Sequence, residues 1–123
     1  MHEKNVAHRD IKPQNILVTD HNKVYIMDFN VSSLKKDDQM EFLMMTKTGT
    51  VAFSAPEIFT SSYYNCSVDV WSAGIVLYMM FCGEQPFYEE NVTKLVHKIT
   101  KTEPDFSHET FSQISEEGKD LLK

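Results

Sequence analysis

Residues 8–15, HRDIKPQN, are the stretch that decides how the rest of this chain is interpreted. An acid, a lysine and an amide lie close together there, and Pro13 prevents the stretch from continuing as one helix. Two further segments follow in order, DFN at residues 28–30 and APE at residues 55–57. HRD alone would pass for a chance tripeptide in a turn, but chance does not account for the whole ordered set.

Local patterns predict a small β-hairpin after this stretch. Residues 15–18 and 23–27 are short apolar runs rich in β-branched side chains, and TDHN at residues 19–22 has turn chemistry. Residues 6–15 and 30–50 show no clear periodicity and are predicted as loops. The second loop is long, and long loops in compact domains are usually functional.

The C-terminal half is predicted to be helical. Residues 68–82 are apolar on nearly all sides, which indicates a helix buried in a core, and Gly83 would end it. Residues 91–101 are amphipathic with Asn91 as the N-cap, and a last helix begins near Ser115. Together with the hairpin, these helices predict an α+β fold.

Composition excludes several functional classes. The chain has 123 residues, of which 41% are hydrophobic and 24% charged, as expected for one small globular domain. Its net charge of −6 argues against nucleic-acid binding and against an acidic membrane surface. The sequence has neither an apolar run long enough to span a bilayer nor a signal-peptide pattern. Cys66 and Cys82 lack metal-ligand spacing, which indicates reduced thiols in a cytoplasmic protein.

The sequence resembles the catalytic domain of eukaryotic serine/threonine protein kinases across nearly all its length. The motifs at residues 8–15, 28–30 and 55–57 carry this resemblance. CGEQPF at residues 82–87 and ISEE at residues 114–117 most resemble the calcium/calmodulin-dependent branch. The resemblance implies an incomplete protein-kinase-like fold, a mainly α-helical C-terminal lobe with a small hairpin, in which the chain forms part of one kinase domain. It also implies transfer of the γ-phosphate of ATP to Ser or Thr of a protein substrate, with ATP and Mg²⁺ as cofactors.

The resemblance assigns the chemistry to five residues. Asp10 would orient the substrate hydroxyl and accept its proton, and Lys12 would lie against the γ-phosphate. Asn15 and Asp28 would ligate Mg²⁺ through hard oxygen atoms. Thr50 would link Asp10 and Lys12 by hydrogen bonds.

Other family positions would contact adenine or support the site. Leu17 matches a position under the adenine ring, although core packing alone would also explain it. His8 and Phe29 would stack in a hydrophobic spine, and a plain core role for Phe29 stays open. Asp69 would accept backbone N–H bonds from residues 8–15, a role that sequence does not separate from helix capping. Asn30 stands where the family has glycine, and Asn is the side chain that best tolerates a positive φ.

The resemblance also implies regulation by phosphorylation. Arg9 is the only arginine in the sequence and would pair with a phosphorylated Thr46, with Thr48 as a second candidate, after modification by an upstream kinase. The alternative that these threonines are never modified stays open.

Glu57 of the APE motif would be buried, with an arginine partner that lies beyond Lys123 or is absent. An unpaired buried ion would cost about 3–5 kcal/mol, which indicates an incomplete domain. No glycine-rich phosphate loop precedes Asp10, so the 123-residue chain alone is expected to transfer no phosphate. Three interpretations stay open: a fragment of an active kinase, a non-catalytic lobe that acts as a protein-interaction module, and an incomplete gene product.

Overall fold

The structure, a computed structural model, describes residues 1–4, 6–34 and 49–122. Within these residues it has four short strands and four α-helices, joined by 3₁₀ turns. The strands are β1 (Val6–Ala7), β2 (Ile16–Val18), β3 (Val24–Ile26) and β4 (Ser33–Leu34). The helices are α1 (Glu57–Thr60), α2 (Ser67–Cys82), α3 (Val92–Lys101) and α4 (Glu116–Asp120). The 3₁₀ turns cover His2–Lys4, Pro13–Asn15, Val51–Phe53 and Glu109–Gln113.

The predicted hairpin is confirmed. β2 and β3 pair antiparallel, with Leu17 opposite Tyr25 at the centre of the register. Asn22 lies in the turn with φ +55°, a left-handed conformation that Asn tolerates better than most residues. Beyond the strands, the Met27 N–H donates to the Asn15 carbonyl at 2.9 Å. This extra bond brings the residue after Met27 close to residue 15.

A second two-stranded ladder was not predicted. β1 pairs antiparallel with β4, so that Val6 lies opposite Leu34 and Ala7 opposite Ser33. The prediction of loops was wrong for these four residues, because strands this short carry no detectable periodicity and their pairing depends on distant parts of the chain. The remainder of the predicted long loop, residues 35–48, lies outside the described residues.

The longest helix, α2, is where most of the core is built. It begins at Ser67 and ends at Cys82, where Gly83 adopts φ +79° and donates its N–H to the Met79 carbonyl at 2.8 Å. Two buried clusters pack against it. One contains Ala7, Ala55, Ile58, Tyr64 and Val68, and the other contains Phe53, Ile75, Phe87, Leu95 and Ile99.

The prediction that α2 is buried on nearly all sides was wrong. Val70 is 65% exposed and Met80 is 76% exposed, whereas Val68 and Ile75 are buried. The physical reason is that the described elements pack against one side of this helix, although its sequence is apolar around most of its circumference. No helix in the described ranges combines the length and the hydropathy needed to cross a membrane.

The last two predicted helices are confirmed, and α3 has the predicted cap at Asn91. The Asn91 side chain accepts a hydrogen bond from the Lys94 N–H at 3.1 Å, and α3 buries Leu95 and Ile99. The Ser115 hydroxyl accepts from the Gly118 N–H at 3.1 Å at the start of α4. Between these helices the unpredicted turn Glu109–Gln113 places Phe111 in an aromatic cluster. That cluster also contains Tyr78, Phe81 and Phe106.

We expect Phe87 to contribute more to stability than its neighbour Tyr88. Phe87 is 1% exposed and stacks on Trp71 with ring centroids 6.1 Å apart, whereas Tyr88 is 65% exposed. Phe87→Ala should therefore lower the free energy of unfolding by about 3–5 kcal/mol, because it removes buried apolar area and leaves a cavity. Tyr88→Ala is the matched control and should change it by about 0.5 kcal/mol or less. Urea denaturation measures both, and equal effects would contradict this description of the core.

Candidate active site

The candidate site begins with a strained peptide that a buried carboxylate holds in place. Arg9 has φ +69°, a left-handed conformation that is uncommon for a residue with a Cβ atom. Its N–H donates to Asp69 Oδ1 at 2.7 Å, and the His8 N–H donates to Asp69 Oδ2 at 2.8 Å. Asp69 lies in the first turn of α2 and is 4% exposed. These charge-assisted bonds offset the strain and fix the direction in which the chain enters Asp10.

His8 is fully buried, and its two ring nitrogens have different roles. Nε2 lies 2.8 Å from the Met27 carbonyl, which only accepts, so Nε2 carries the proton. Nδ1 accepts the N–H of Asp10 at 3.2 Å, so this ring is a neutral imidazole. The His8 ring meets Phe29 edge-on, with centroids 4.7 Å apart and an interplanar angle of 69°. The two rings therefore contact each other as a T-shaped pair, with Phe29 46% exposed.

Asp10, Lys12 and Thr50 form a closed triangle of polar contacts. The Lys12 Nζ lies 2.7 Å from Asp10 Oδ2 and donates to the Thr50 hydroxyl at 2.9 Å. Asp10 Oδ1 accepts from the Thr50 N–H at 3.0 Å and from its hydroxyl at 2.9 Å. Each of the three residues contacts the other two, so the carboxylate is held in one orientation from both sides.

This triangle also sets the charge state of Asp10. Burial alone would raise the pKa of Asp10, but hydrogen bonds from Lys12 and Thr50, together with the Lys12 charge, outweigh it. The pKa of Asp10 therefore lies below its ordinary value near 3.8. At neutral pH the group is an ionised acceptor, suited to orienting a hydroxyl through a hydrogen bond.

Asn15 and Asp28 bring oxygen atoms to the same end of the hairpin. Asn15 is 5% exposed, and its amide nitrogen donates to the Asp10 carbonyl at 2.8 Å and to Asp10 Oδ2 at 3.2 Å. These two bonds use both hydrogens of the side-chain amide, so the side-chain oxygen Oδ1 of Asn15 is the atom suited to bind a cation. Asp28 is exposed and directly follows Met27. The Met27 N–H donates to the backbone carbonyl of Asn15, which keeps Asp28 near Asn15.

These donors fit Mg²⁺ held jointly with phosphate groups. Carboxylate and amide oxygens are hard ligands, and Mg²⁺ in phosphate sites needs only one or two protein carboxylates because phosphates and water complete its octahedron. Residues 1–4, 6–34 and 49–122 contain no group of three or more His, Cys, Asp or Glu side chains arranged to hold a metal. Asn15 and Asp28 supply two oxygen ligands, a set suited to a metal ion that phosphate groups also hold.

The backbone at residues 28–30 differs from the prediction. Asp28 adopts the left-handed conformation, with φ +61°, and Asn30 does not. The Asn30 N–H donates to Asp28 Oδ1 at 3.3 Å, which is a local turn made by the Asp side chain. The positive φ therefore falls two residues before the position that matches the family's glycine, whereas the hydrogen-bonded turn is centred on Asn30 and Val31, where the Ser32 N–H donates to the Phe29 carbonyl at 3.0 Å.

Glu57 also differs from the prediction. It is half-buried rather than buried, and it accepts a hydrogen bond from the Ser67 hydroxyl at 3.4 Å. The carboxylate borders a cavity of about 430 Å³ between α2 and the C-terminal residues Leu121 and Leu122, so solvent reaches it. The penalty for an unpaired buried ion therefore does not apply in full here.

Leu17 lies on an exposed apolar surface of the hairpin. Its exposed fraction is 49%, and the other exposed large apolar residues of the hairpin and of the segment after it are between 41% and 63% exposed. They are Val18, Val24, Tyr25, Ile26, Met27 and Phe29. Leu17 shares one face of the hairpin with Tyr25, its cross-strand partner, whereas Val18, Val24 and Ile26 lie on the opposite face. The exposed apolar face that carries Leu17 is suited to a flat apolar ligand.

Arg9 lies close to the site but contacts neutral groups. Its Nε donates to the Val31 carbonyl at 2.6 Å, and Nη1 lies 3.5 Å from the Tyr64 hydroxyl. Thr46 and Thr48 lie outside the described residues, so their pairing with Arg9 stays a prediction.

Two contacts of this site were missed by sequence reasoning. They are the contact of Tyr64 with Arg9 and a hydrogen bond between His2 and Asp69. The partners are 55 and 67 residues apart, so no local pattern signals either contact.

Gly49 is required by the close approach of two backbone segments. Its φ is +99°, and a Cβ atom added there would lie 2.4 Å from the Arg9 carbonyl oxygen. Only glycine fits, because this contact is with backbone that has no freedom to move aside. Gly49 thus allows Thr50 to reach Asp10.

An ionised aspartate paired with a lysine, next to amide and carboxylate oxygens suited to Mg²⁺, is an arrangement suited to phosphoryl transfer. Residues 1–123 match the sequence model of the protein kinase domain, so the chain belongs to the protein kinase domain family.

The chain is similar to kinases that are named as calcium-dependent or calcium/calmodulin-dependent. It is 37% identical over 126 residues to calcium/calmodulin-dependent protein kinase type 1 of Macrobrachium nipponense, covering all of this chain and 35% of that protein. It is 38% identical over 127 residues to calcium-dependent protein kinase 3 of Plasmodium berghei, covering all of this chain and 22% of that protein. The type 1 enzyme of Caenorhabditis elegans is 38% identical over 125 residues, with 99% and 35% covered. The chain thus spans about a third or less of these relatives.

We expect Gly49→Ala to destabilise the protein and to displace Thr50 from Asp10. The left-handed φ alone costs an alanine about 1–3 kcal/mol, and the clash with the Arg9 carbonyl adds to it. Gly74→Ala is the matched control, since a Cβ there meets nothing within 4 Å, and it should stabilise α2 by about 0.5–1 kcal/mol. Chemical denaturation measures both changes, and a neutral Gly49→Ala would contradict the close approach.

We expect Lys12→Met to raise the pKa of Asp10, because it removes both a hydrogen bond and a positive charge from the carboxylate. Since the pKa is lowered in the folded state, the ionised carboxylate contributes stability above its ordinary pKa. That contribution is lost as the pH falls through the folded-state value. In Lys12→Met the free energy of unfolding should therefore fall less steeply with decreasing pH over the range in which Asp10 titrates.

Carbon-13 NMR titration of the carboxyl group measures this pKa directly. Lys23→Met is the matched control, because it removes the same charge from the exposed hairpin turn. An upward shift in both variants, or in neither, would contradict a direct contact between Lys12 and Asp10.

Proposed function

We propose that this chain carries the catalytic and substrate-seating part of a protein serine/threonine kinase, which transfers the γ-phosphate of ATP to Ser or Thr of a protein substrate. The observation that supports this most strongly is the triangle of Asp10, Lys12 and Thr50. It holds an ionised carboxylate and a lysine side by side, with Asn15 bonded to the same carboxylate. Residues 1–123 would form part of one kinase domain, with the glycine-rich loop outside these residues.

In the proposed mechanism the protein contributes position and charge rather than covalent chemistry. Asp10 accepts a hydrogen bond from the substrate hydroxyl and orients it towards phosphorus. Lys12 stabilises negative charge on the transferred group, and Thr50 keeps the carboxylate and the lysine in register. Asn15 and Asp28 would hold Mg²⁺, which would neutralise negative charge on the phosphate groups. Leu17 would contact the adenine ring on the exposed apolar face of the hairpin.

Specificity and regulation are part of the proposal. Lys12, two residues after Asp10, and Thr50, which it contacts, resemble the pattern of serine/threonine-specific kinases and so support Ser or Thr as the acceptor. An upstream kinase that phosphorylates Thr46 or Thr48 would give Arg9 an anionic partner. The similarity to kinases named for calcium and calmodulin supports a place in the calcium/calmodulin-dependent branch. Free Cys66 and Cys82 support a cytoplasmic location.

A second candidate function is binding without catalysis. The segment that would seat the substrate is well held, because Phe53, Ser54 and Ala55 are each 6% exposed or less. The hairpin that would face ATP is much more exposed. This difference supports a lobe that binds a protein segment even where phosphate transfer does not occur.

We predict that Asp10→Asn lowers the rate of phosphate transfer by about 10²–10⁴-fold, because the amide orients the hydroxyl poorly and accepts no proton. The assay follows labelled γ-phosphate from Mg²⁺–ATP into peptides that differ only in Ser, Thr or Tyr as the acceptor. The enzyme is the longest product of the native transcript that contains these residues. Asp20→Asn is the matched control, since Asp20 lies in the exposed hairpin turn.

The outcomes separate the candidate functions. Loss of transfer in Asp10→Asn alone supports the kinase. Peptide binding that Asp10→Asn leaves intact, with no transfer by the unmodified protein, supports the binding lobe instead. The 123-residue chain by itself should transfer no phosphate at a measurable rate, and robust Asp28-dependent transfer by that chain would contradict this expectation.

A further inference from the structure

One face of α3 is basic along the length of the helix. Its members follow one another by three or four residues, which places them on the same side of the helix. They are Lys94, His97, Lys98 and Lys101. Leu95 and Ile99 lie on a different side and are buried. The helix contains no acidic residue, so this basic face is a local positive charge in a chain whose net charge is −6.

The lysines at the two ends of the basic face are open to an external anion. Lys94 and Lys101 are both exposed. Within residues 1–4, 6–34 and 49–122, neither of them takes part in an ion pair. Lys98, between them, has its Nζ 3.6 Å from a carboxylate oxygen of Glu89.

The stability of α3 accounts for only part of this charge. Lys98 and Lys101 lie in the last turn, where positive charge interacts favourably with the helix dipole. Lys94 lies in the first turn, three residues after the N-cap Asn91, where positive charge is unfavourable and Glu is common. Because Lys94 opposes the helix dipole, its charge indicates a role in binding rather than in folding.

The basic face has the dimensions of a short peptide. Lys101 follows Lys94 by seven residues, which is about 10 Å along the helix axis. An extended peptide rises about 3.3 Å per residue, so a segment of about three to five residues covers the face. Exposed Glu90 comes directly before the N-cap and exposed Glu103 comes shortly after the helix. A long polyanion or an anionic membrane would meet these carboxylates, whereas a short acidic segment fits between them.

The basic face belongs to a helix that is firmly attached to the rest of the fold. Leu95 and Ile99 pack with Phe53 in one buried cluster, and α3 also contacts α1. The turn Val51–Phe53 is part of the segment that would seat the substrate. A partner bound to α3 is therefore held on the same part of the fold as that segment.

We propose that the basic face of α3 is a docking site for an acidic segment of a protein partner, with Asp or Glu carboxylates paired to Lys94, Lys98 and Lys101. These contacts are exposed ion pairs, so binding is weak and decreases with salt. Where the partner is the phosphate acceptor, docking lowers KM and leaves the chemistry at Asp10 unchanged. That extension rests on the proposed function, whereas the docking site itself does not.

The test measures binding of a fluorescein-labelled hexaglutamate peptide by fluorescence anisotropy at low ionic strength. The protein is the longest native product that contains these residues. The double variant Lys94→Gln/Lys101→Gln should bind about fivefold more weakly, which corresponds to about 0.5 kcal/mol for each lost ion pair. Gln is a good helix former, so α3 should remain folded, and circular dichroism checks this.

The matched control is Lys4→Gln/Lys23→Gln, which removes the same charge from two exposed positions outside α3. It should change the affinity by less than about twofold, because distant exposed charges are screened. A hexaglutamine peptide should bind to none of these proteins. Equal weakening in the two double variants, or no weakening in Lys94→Gln/Lys101→Gln, would overturn the docking site. Tighter α3-dependent binding of duplex DNA or of phosphatidylserine vesicles than of hexaglutamate would overturn it as well.

A kinetic readout separates the docking site from the proposed function. A Ser peptide that carries a hexaglutamate tail on a flexible linker should have a lower KM than the same peptide with a hexaglutamine tail. Lys94→Gln/Lys101→Gln should remove this difference and leave kcat unchanged. If hexaglutamate binding depends on α3 but no peptide is phosphorylated, the proposed function fails and the docking site stands. If both peptides are phosphorylated equally well and hexaglutamate binding does not depend on α3, the docking site fails and the proposed function stands.

Discussion

The interaction on which the rest of the structure depends is the pair of hydrogen bonds from the His8 and Arg9 backbone to the Asp69 carboxylate. It joins the segment that carries Asp10 to the first turn of the longest helix. The carboxylate is buried, so its bonds act in a medium of low dielectric and are stronger than the same bonds at a surface. The left-handed Arg9 persists because both ends of this contact are fixed. The orientation of the segment that carries Asp10 is therefore a property of α2 as much as of the segment itself.

The same helix also anchors the segment that carries Thr50 and Phe53. The Ser72 hydroxyl, one turn after Asp69, donates to the Phe53 carbonyl at 2.7 Å. Asp69 and Ser72 thus anchor two separate parts of the chain to one buried helix face. Thr50 and Asp10 meet because both segments are attached at neighbouring points of α2, and Gly49 allows the final approach. A rigid helix that fixes two loops in this way pre-organises the polar groups of the site for charge stabilisation.

Much of the fold could be predicted from local sequence patterns, and much of the candidate site from motifs. The hairpin and the caps at Asn91 and Ser115 arise from contacts between residues a few positions apart, which leave a pattern in the sequence. The candidate catalytic residues were predicted from motifs, and in the structure Lys12, Thr50 and Asn15 all contact Asp10. Their catalytic roles are proposals. The burial of Glu57 was predicted wrongly, because exposure depends on the elements that surround a side chain.

The sequence by itself determined which residues carry charge, where the hairpin turns and where the last helices begin. Those features depend on side-chain chemistry and on interactions within one or two turns of chain. Only the tertiary structure decided that β1 pairs with β4, that α2 is covered on one side, and that His2 meets Asp69. Each of these joins residues far apart in the chain, and loop closure between them leaves no periodic trace in the sequence. The left-handed φ of Arg9 belongs with them, because a distant carboxylate is what maintains it.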